Sequence, residues 1–229
     1  FDASVDSWEM AMFMVWVREI NNLLFRDEWD QLNLGPKDDA SRNTWKTKPE
    51  LLEAMLDGRS TRWCGDAVAD PEPKGLEACR AIVTQAFIDA TKRLKKRLGG
   101  DHKKWRWGDI HIATMSHTFE SVGGPVRRFF QNEISAPGGP FTVNVGGGSS
   151  SDDGEMMSMG AGPSLRHIFD LSDLDDSLFM TSNGQSGNPL SGLHKTFLEP
   201  WSKGEYFRFS STRRDAEINR TGKMTLQPE

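Results

Sequence analysis

The chain has 229 residues, 36% hydrophobic and 27% charged, with 22 Gly and 11 Pro, which describes a folded, turn-rich protein with enough length for one substantial core. A formal net charge of -5 argues against nucleic acid or an anionic membrane surface as a partner, since both require positive charge. The longest apolar run, Met10 to Val17, falls well short of the ~20 residues that span a bilayer, and no secretory signal opens the sequence.

Asp6-Ser7-Trp8-Glu9 has the form of a capping box, with Asp6 accepting from the amide of Glu9 and Glu9 reaching back. A helix is predicted from there to about Phe25. Its apolar face is Trp8, Met12, Val15, Trp16, Ile20, Leu23 and Leu24, with Arg18, Glu19 and Asn22 turned to water. The next fifty residues read as irregular connection around one short helix, Pro49 to Leu56, with Gly58 just past its end. A third helix, Leu76 to Leu98, turns Ile82, Val83, Phe87, Leu94 and Leu98 inward. It ends in Lys92, Arg93, Lys95, Lys96 and Arg97 before Gly99-Gly100, where cations offset the negative helix end and glycine takes a left-handed cap.

From Lys103 onward short β-like runs alternate with glycine-rich turns: Ile110 to Ala113, Phe141 to Val145, Met156 to Gly160, Leu165 to Leu171, Leu178 to Ser182, Tyr206 to Ser210 and Met224 to Gln227. The predicted class is therefore α+β: residues 1–102 form a helical portion, 103–229 a β-rich portion of mainly antiparallel sheet, and the two make one continuous unit. Gly146 to Gly154 reads as a flexible hairpin loop, because it lacks the lysine and following helix of a phosphate-cradling loop.

Few residues present a chemistry-bearing pattern. Cys64 and Cys79, the two cysteines of the chain, can be reduced buried side chains or a disulfide, and no histidine stands at zinc-ligand spacing from them. Asp109, His111 and His117 could hold a metal, but their spacing matches no helical ligand pair, so the favoured reading is that they orient a loop by hydrogen bonds. Asp170, Asp173, Asp175 and Asp176 lack the glycine and glutamate of an EF-hand and read as a solvated turn, and Arg166 as a structural polar residue. Ser186 sits in Gly184-Gln185-Ser186-Gly187, where a nucleophile elbow would need a glycine at Asn188 and a helix that Pro189 disfavours.

Thr181-Ser182-Asn183-Gly184-Gln185-Ser186-Gly187-Asn188-Pro189-Leu190-Ser191, followed by Trp201 and Gly204-Glu205-Tyr206, resembles a motif of the penicillin acylase family. Trp105-Arg106-Trp107-Gly108-Asp109-Ile110-His111 is similar to that family's Trp-Gly-Asp-x-His element. Gly138-Gly139 before Phe141-Thr142-Val143-Asn144 is similar to its glycine turn and Thr-Val-Asn strand, and Gly162-Pro163-Ser164-Leu165-Arg166 with Asp170 to its Pro-Ser-x-Arg strand. Asp6-Ser7 leading into an apolar helix with Trp16 looks like a helix late in the large subunit, so the likeness runs along nearly all of the chain. The Gly-Gln-Ser-Gly-Asn-Pro form is most like the acyl-homoserine-lactone and aculeacin acylase branch. One departure stands out: Gly192-Leu193-His194-Lys195 replaces the family's usual Pro-His-Tyr-type triplet with its aspartate, so surface contacts there are expected to differ.

The resemblance implies the C-terminal part of a large (β) subunit in an αββα N-terminal-nucleophile hydrolase sandwich. Such enzymes cleave the amide bond of an N-acyl substrate, here an acyl-homoserine lactone, a β-lactam or a lipopeptide side chain. Their nucleophile is the first residue of a subunit, most often serine, and an oxyanion hole includes an asparagine. Phe1 opens this chain, which suggests a processed or excised piece, and no residue aligns with the nucleophile, the oxyanion asparagine or the nearby arginine. Asn144 and Asn183 lie in other motifs. No catalytic residue is therefore carried over, and the isolated chain is expected to be inactive. The resemblance further implies a periplasmic or secreted location, which favours a Cys64–Cys79 disulfide; a structural calcium occurs in the family, but no motif here supports one. Its expected partner is the remainder of the acylase, the small subunit and the N-terminal part of the large one, or a second copy. The rival reading is a noncatalytic binding or assembly module on the same fold.

Overall fold

The computed structural model describes residues 2–31, 49–65, 75–150, 157–209, 212–220 and 222–227. The chain divides into two compact units, one built from 1–114 with 133–162 and the other from 115–132 with 163–229.

In the first unit, α1 (Trp8–Gln31) packs along α3 (Leu76–Leu98), and α2 (Pro49–Leu56) closes against α3. The cap of α1 differs from expectation. Ser7, not Asp6, accepts from the amide of Met10 at 3.0 Å, while Asp6 forms an ion pair with Arg106. Two apolar clusters follow along the α1–α3 seam. One joins Met10, Met14 and Val15 to Ala90, Leu94, Trp105, Trp107 and Ile110. The other joins Ile20 and Leu24 to Met55, Cys64, Cys79 and Ala86. The small side chains of Cys79, Ala86 and Ala90 line this seam, so α1 lies close against α3. Phe87, expected inside, is largely exposed and meets Trp16 edge-on at 5.8 Å.

Arg18 and Glu19, expected to face water, are buried. Glu19 lies 2.8 Å from the guanidinium of Arg93, a cation that the sequence reading assigned only to the helix end, and that pairing compensates a carboxylate withdrawn from solvent. Gly99 ends α3 with φ 94 and ψ 173, outside the left-handed cap that was expected and in a region open almost only to glycine.

The first unit carries nearly all of a four-stranded sheet in the order β2-β1-β4-β3, from β1 (His111–Met115), β2 (Asn132–Ser135), β3 (Gly147–Ser150) and β4 (Met157–Ala161), with the end residues Met115 and Asn132 belonging to the second unit. Pairing of β3 with β4 is antiparallel, but β1 and β4 run parallel, bringing His111 beside Met157. The first half of the glycine-serine run is thus a strand, and the rest of that predicted loop, 151–154, lies outside the described residues. Phe141 to Val145 is not a strand but a turn. The Thr142 hydroxyl accepts from Gly139 N and donates to Asn144 O, folding the segment back on itself.

The second unit holds α4 (Gly124–Phe130), α5 (Leu198–Lys203), α6 (Arg213–Asn219) and an antiparallel sheet β5-β6-β7, from β5 (Leu165–Ile168), β6 (Leu178–Thr181) and β7 (Phe207–Arg208). The three short helices were not anticipated. Met224 to Gln227 forms no strand. The class is α+β, as predicted.

Candidate functional site

The residues singled out by sequence gather into two polar knots, one in each unit. In the first, the backbone of the N-terminal segment pairs with the Trp-Gly-Asp turn: Trp107 N donates to Ser7 O at 3.1 Å and Gly108 N to Val5 O at 2.8 Å. The glycine of the motif has a packing cause, because a Cβ there would stand 2.9 Å from the Cβ atoms of both Ser135 and Val5. Trp107 is fully buried and its indole donates to Gly138 O at 2.8 Å. Its ring stacks on His111 with centroids 4.3 Å apart and planes 14° from parallel.

His111, at 1% exposure, donates from Nδ1 to Ala136 O at 2.7 Å, which leaves Nε2 without its proton and with no hydrogen-bond partner among the described residues. A ring so placed is neutral: burial, the larger effect, pushes its pKa below 6.5, against the opposing pull of the bond to Ala136. Asp109 stands exposed beside it, and no group of acidic, histidine or cysteine side chains able to hold a metal occurs among the described residues.

The sign of the resulting pH dependence is set. Because the folded pKa is the lower one, His111's contribution to stability is complete above about pH 6.5 and is lost as pH falls towards the depressed folded value, where the unfolded chain binds a proton that the folded chain refuses. Urea unfolding between pH 7.5 and 5 should show this loss, and His111→Phe, which keeps an aromatic ring against Trp107, should flatten that part of the profile.

The second knot is the long motif itself. Its loop folds back so that Gly184 N donates to His194 O at 3.0 Å and Ser186 N to Leu193 O at 3.3 Å. No side chain fits at 184, since a Cβ would lie 1.9 Å from Leu193 O and 2.3 Å from the carbonyl carbon of His194. His194 Nδ1 donates to the Ser186 carbonyl at 2.9 Å, which sets its tautomer. Nε2 then accepts from Asn132 Nδ2 at 3.2 Å, and the same amide group donates to Asn183 Oδ1 at 2.9 Å. Ser186 Oγ accepts from Asn188 N, and Asn188 Oδ1 from Leu190 N, so both side chains hold the turn.

Beyond the loop, Trp201 of α5 donates to Pro163 O at 2.9 Å, and Arg166 lies 5.0 Å above the Trp201 ring while donating to its carbonyl. Asp170 accepts from Ser172 and Asp173, which hold its carboxyl below the usual range, and Arg208 pairs with Asp176. Asp170 thus binds the turn that contains it, and Asp176 ties that turn to β7.

The arrangement positions backbone and does not assemble a nucleophile. The imidazole of His194 meets the Ser186 carbonyl and not its hydroxyl, so no serine–histidine pair of the catalytic kind forms there. Sequence reasoning missed the roles of His194 and Asn132. His194 was set down as a surface departure, whereas it is buried at the centre of the knot. Asn132 lies fifty-one residues from Asn183, and nothing local marks it. Cys64 and Cys79 are joined as a disulfide, with Cα atoms 4.9 Å apart.

A family model described as penicillin amidase matches residues 1–217. The chain belongs to the penicillin amidase family. Among its relatives, the acyl-homoserine lactone acylase QuiP of Pseudomonas syringae pv. tomato is 30% identical over 212 residues, a match that covers 89% of this chain and 24% of that protein. The QuiP acylase of Pseudomonas aeruginosa is 24% identical over 224 residues, covering 90% and 25%. A thermostable penicillin G acylase from Alcaligenes faecalis aligns over 97% of this chain and 39% of its own, at 13% identity and a TM-score of 0.47. The chain thus spans about a quarter of the length of the curated relatives it matches. Both knots fall inside the matched region. No described helix is long and apolar enough to cross a membrane.

Proposed function

We propose that this chain is the C-terminal segment of the large subunit of a penicillin-amidase-type acylase. The whole enzyme hydrolyses the amide bond of an N-acyl substrate, with an acyl-homoserine lactone the first choice and β-lactam or lipopeptide side chains the others. The observation that carries this reading is the match itself: relatives named as acyl-homoserine lactone acylases align along 89% of this chain yet keep roughly three quarters of their length outside it. The polar side chains here are spent on holding backbone, which fits a segment that supports a catalytic portion from outside the reacting centre. The proposed location is the periplasm or the exterior, and the Cys64–Cys79 bridge supports an oxidising compartment.

The test is amine release from an N-acyl-homoserine lactone and from penicillin G. The chain is assayed alone and after co-expression with the acylase segment encoded immediately upstream of it. The expected result is no turnover alone and turnover in the reconstituted protein, with the lactone preferred. Turnover by the isolated chain, or none by a well-folded reconstituted protein, would overturn the proposal.

A further inference from the structure

One face of the β5-β6-β7 sheet is aromatic and bare. The register places Leu165 opposite Thr181, His167 opposite Phe179 and Phe179 opposite Phe207, so these side chains share one face. Phe169 and Phe209 continue it two residues beyond His167 and Phe207, and ring contacts bear this out: His167 to Phe169 at 5.4 Å and Phe179 to Phe209 at 5.9 Å. Phe197 joins the same layer, 6.1 Å from Phe179 and 5.1 Å from Phe207. The opposite face is covered at its centre, with Met180 fully buried and Arg166 lying over Trp201, while Ile168 towards its end is 50% exposed.

On the aromatic face Leu165 is 60% exposed, Phe169 66%, Phe207 39% and Phe209 48%. A contiguous layer of this kind on a small sheet marks an interaction surface, since leaving it in water forfeits the burial that large apolar side chains supply. Its composition also specifies the kind of interface. No Asp, Glu, Lys or Arg stands among its strand residues, the nearby cations Arg166 and Arg208 being on the other face. Aromatic content without charge characterises permanent interfaces, which resemble a core cut in two, and not the polar patches of transient encounters.

Resting on the reading above, we infer that this face is the docking surface for the rest of the acylase polypeptide, the three quarters of the relatives' length that lies outside the match. A permanent apolar cover is what such a segment provides, and a transient partner would not.

Co-expression with the tagged upstream acylase segment tests it. Phe169→Lys with Phe209→Lys puts two charges onto the face at exposed positions, and the urea midpoint of the isolated variant should match that of the parent. The amount of chain retained by the tagged segment should fall at least tenfold, while Leu190→Lys, at an 82% exposed site in the motif loop, should leave it unchanged. Equal retention of the double variant, failure of the parent chain to bind, or a homodimer that the double variant breaks and the upstream segment does not displace would each overturn the inference. Amide turnover is read separately. A complex that forms through this face yet cleaves nothing would remove the proposed activity and leave the docking surface standing.

Discussion

Trp107→Ala should lower the unfolding free energy by about 3–5 kcal/mol, the range for removing a large aromatic side chain from a core that cannot collapse around the gap. Three consequences act together. Removing the fully buried indole leaves a cavity in the apolar cluster it shares with Met10, Leu94 and Ile110, Gly138 O loses its donor, and His111 loses the ring it stacks on. An unpaired buried carbonyl alone costs about 1–3 kcal/mol. Trp107→Phe separates these contributions, since it keeps most of the volume and the stack but not the hydrogen bond, and its loss should be about half as large. Denaturant unfolding followed by far-UV circular dichroism is sufficient. A loss below about 1 kcal/mol for the alanine variant would mean that this indole does not hold the first unit together.

The second large effect concerns the bridge. Reducing Cys64–Cys79, or replacing both by alanine, should cost roughly 3 kcal/mol, as expected when the unfolded chain regains the freedom of a loop of this length. The sequence separation is 15, and both cysteines are buried against Ile20, Leu24 and Met55. The bridge therefore ties the start of α3 to the short turn Arg62–Cys64 that follows α2. Urea unfolding with and without reductant should show the shift in midpoint, and intact mass should rise by two hydrogen atoms on reduction. Identical midpoints together with two free thiols before reduction would refute the bridge.

How much could be read in advance follows the range of the physics. The bounds of α2 and α3 were legible because proline in a first turn, glycine past a last turn and a 3.6-residue apolar period are all local signals. The start of α1 was displaced by one residue, since both Asp6 and Ser7 can cap and only Arg106, a hundred residues away, draws Asp6 off. Strand β2, Asn-Glu-Ile-Ser, and strand β3, Gly-Gly-Ser-Ser, have no alternating apolar pattern; their neighbours in the sheet make them strands. Thr142, conversely, sits in a segment of good β-propensity and turns it back through its own hydroxyl.

The candidate site divides in the same way. The glycines at 108 and 184 could be noticed as motif members, but the reason for each is a neighbour remote in the chain or across a loop. By itself the sequence determined the family, the α+β class and the extent of α2 and α3, because motif identity and periodicity are properties of short stretches, whereas α1 runs on to Gln31, past the predicted end at Phe25. Only the tertiary structure decided that Glu19 would be buried against Arg93, that His194 would turn inward to Asn132, and that an aromatic sheet face would be left uncovered. Those outcomes depend on which distant surfaces pack together, and burial is a property of the packed pair and not of either segment alone.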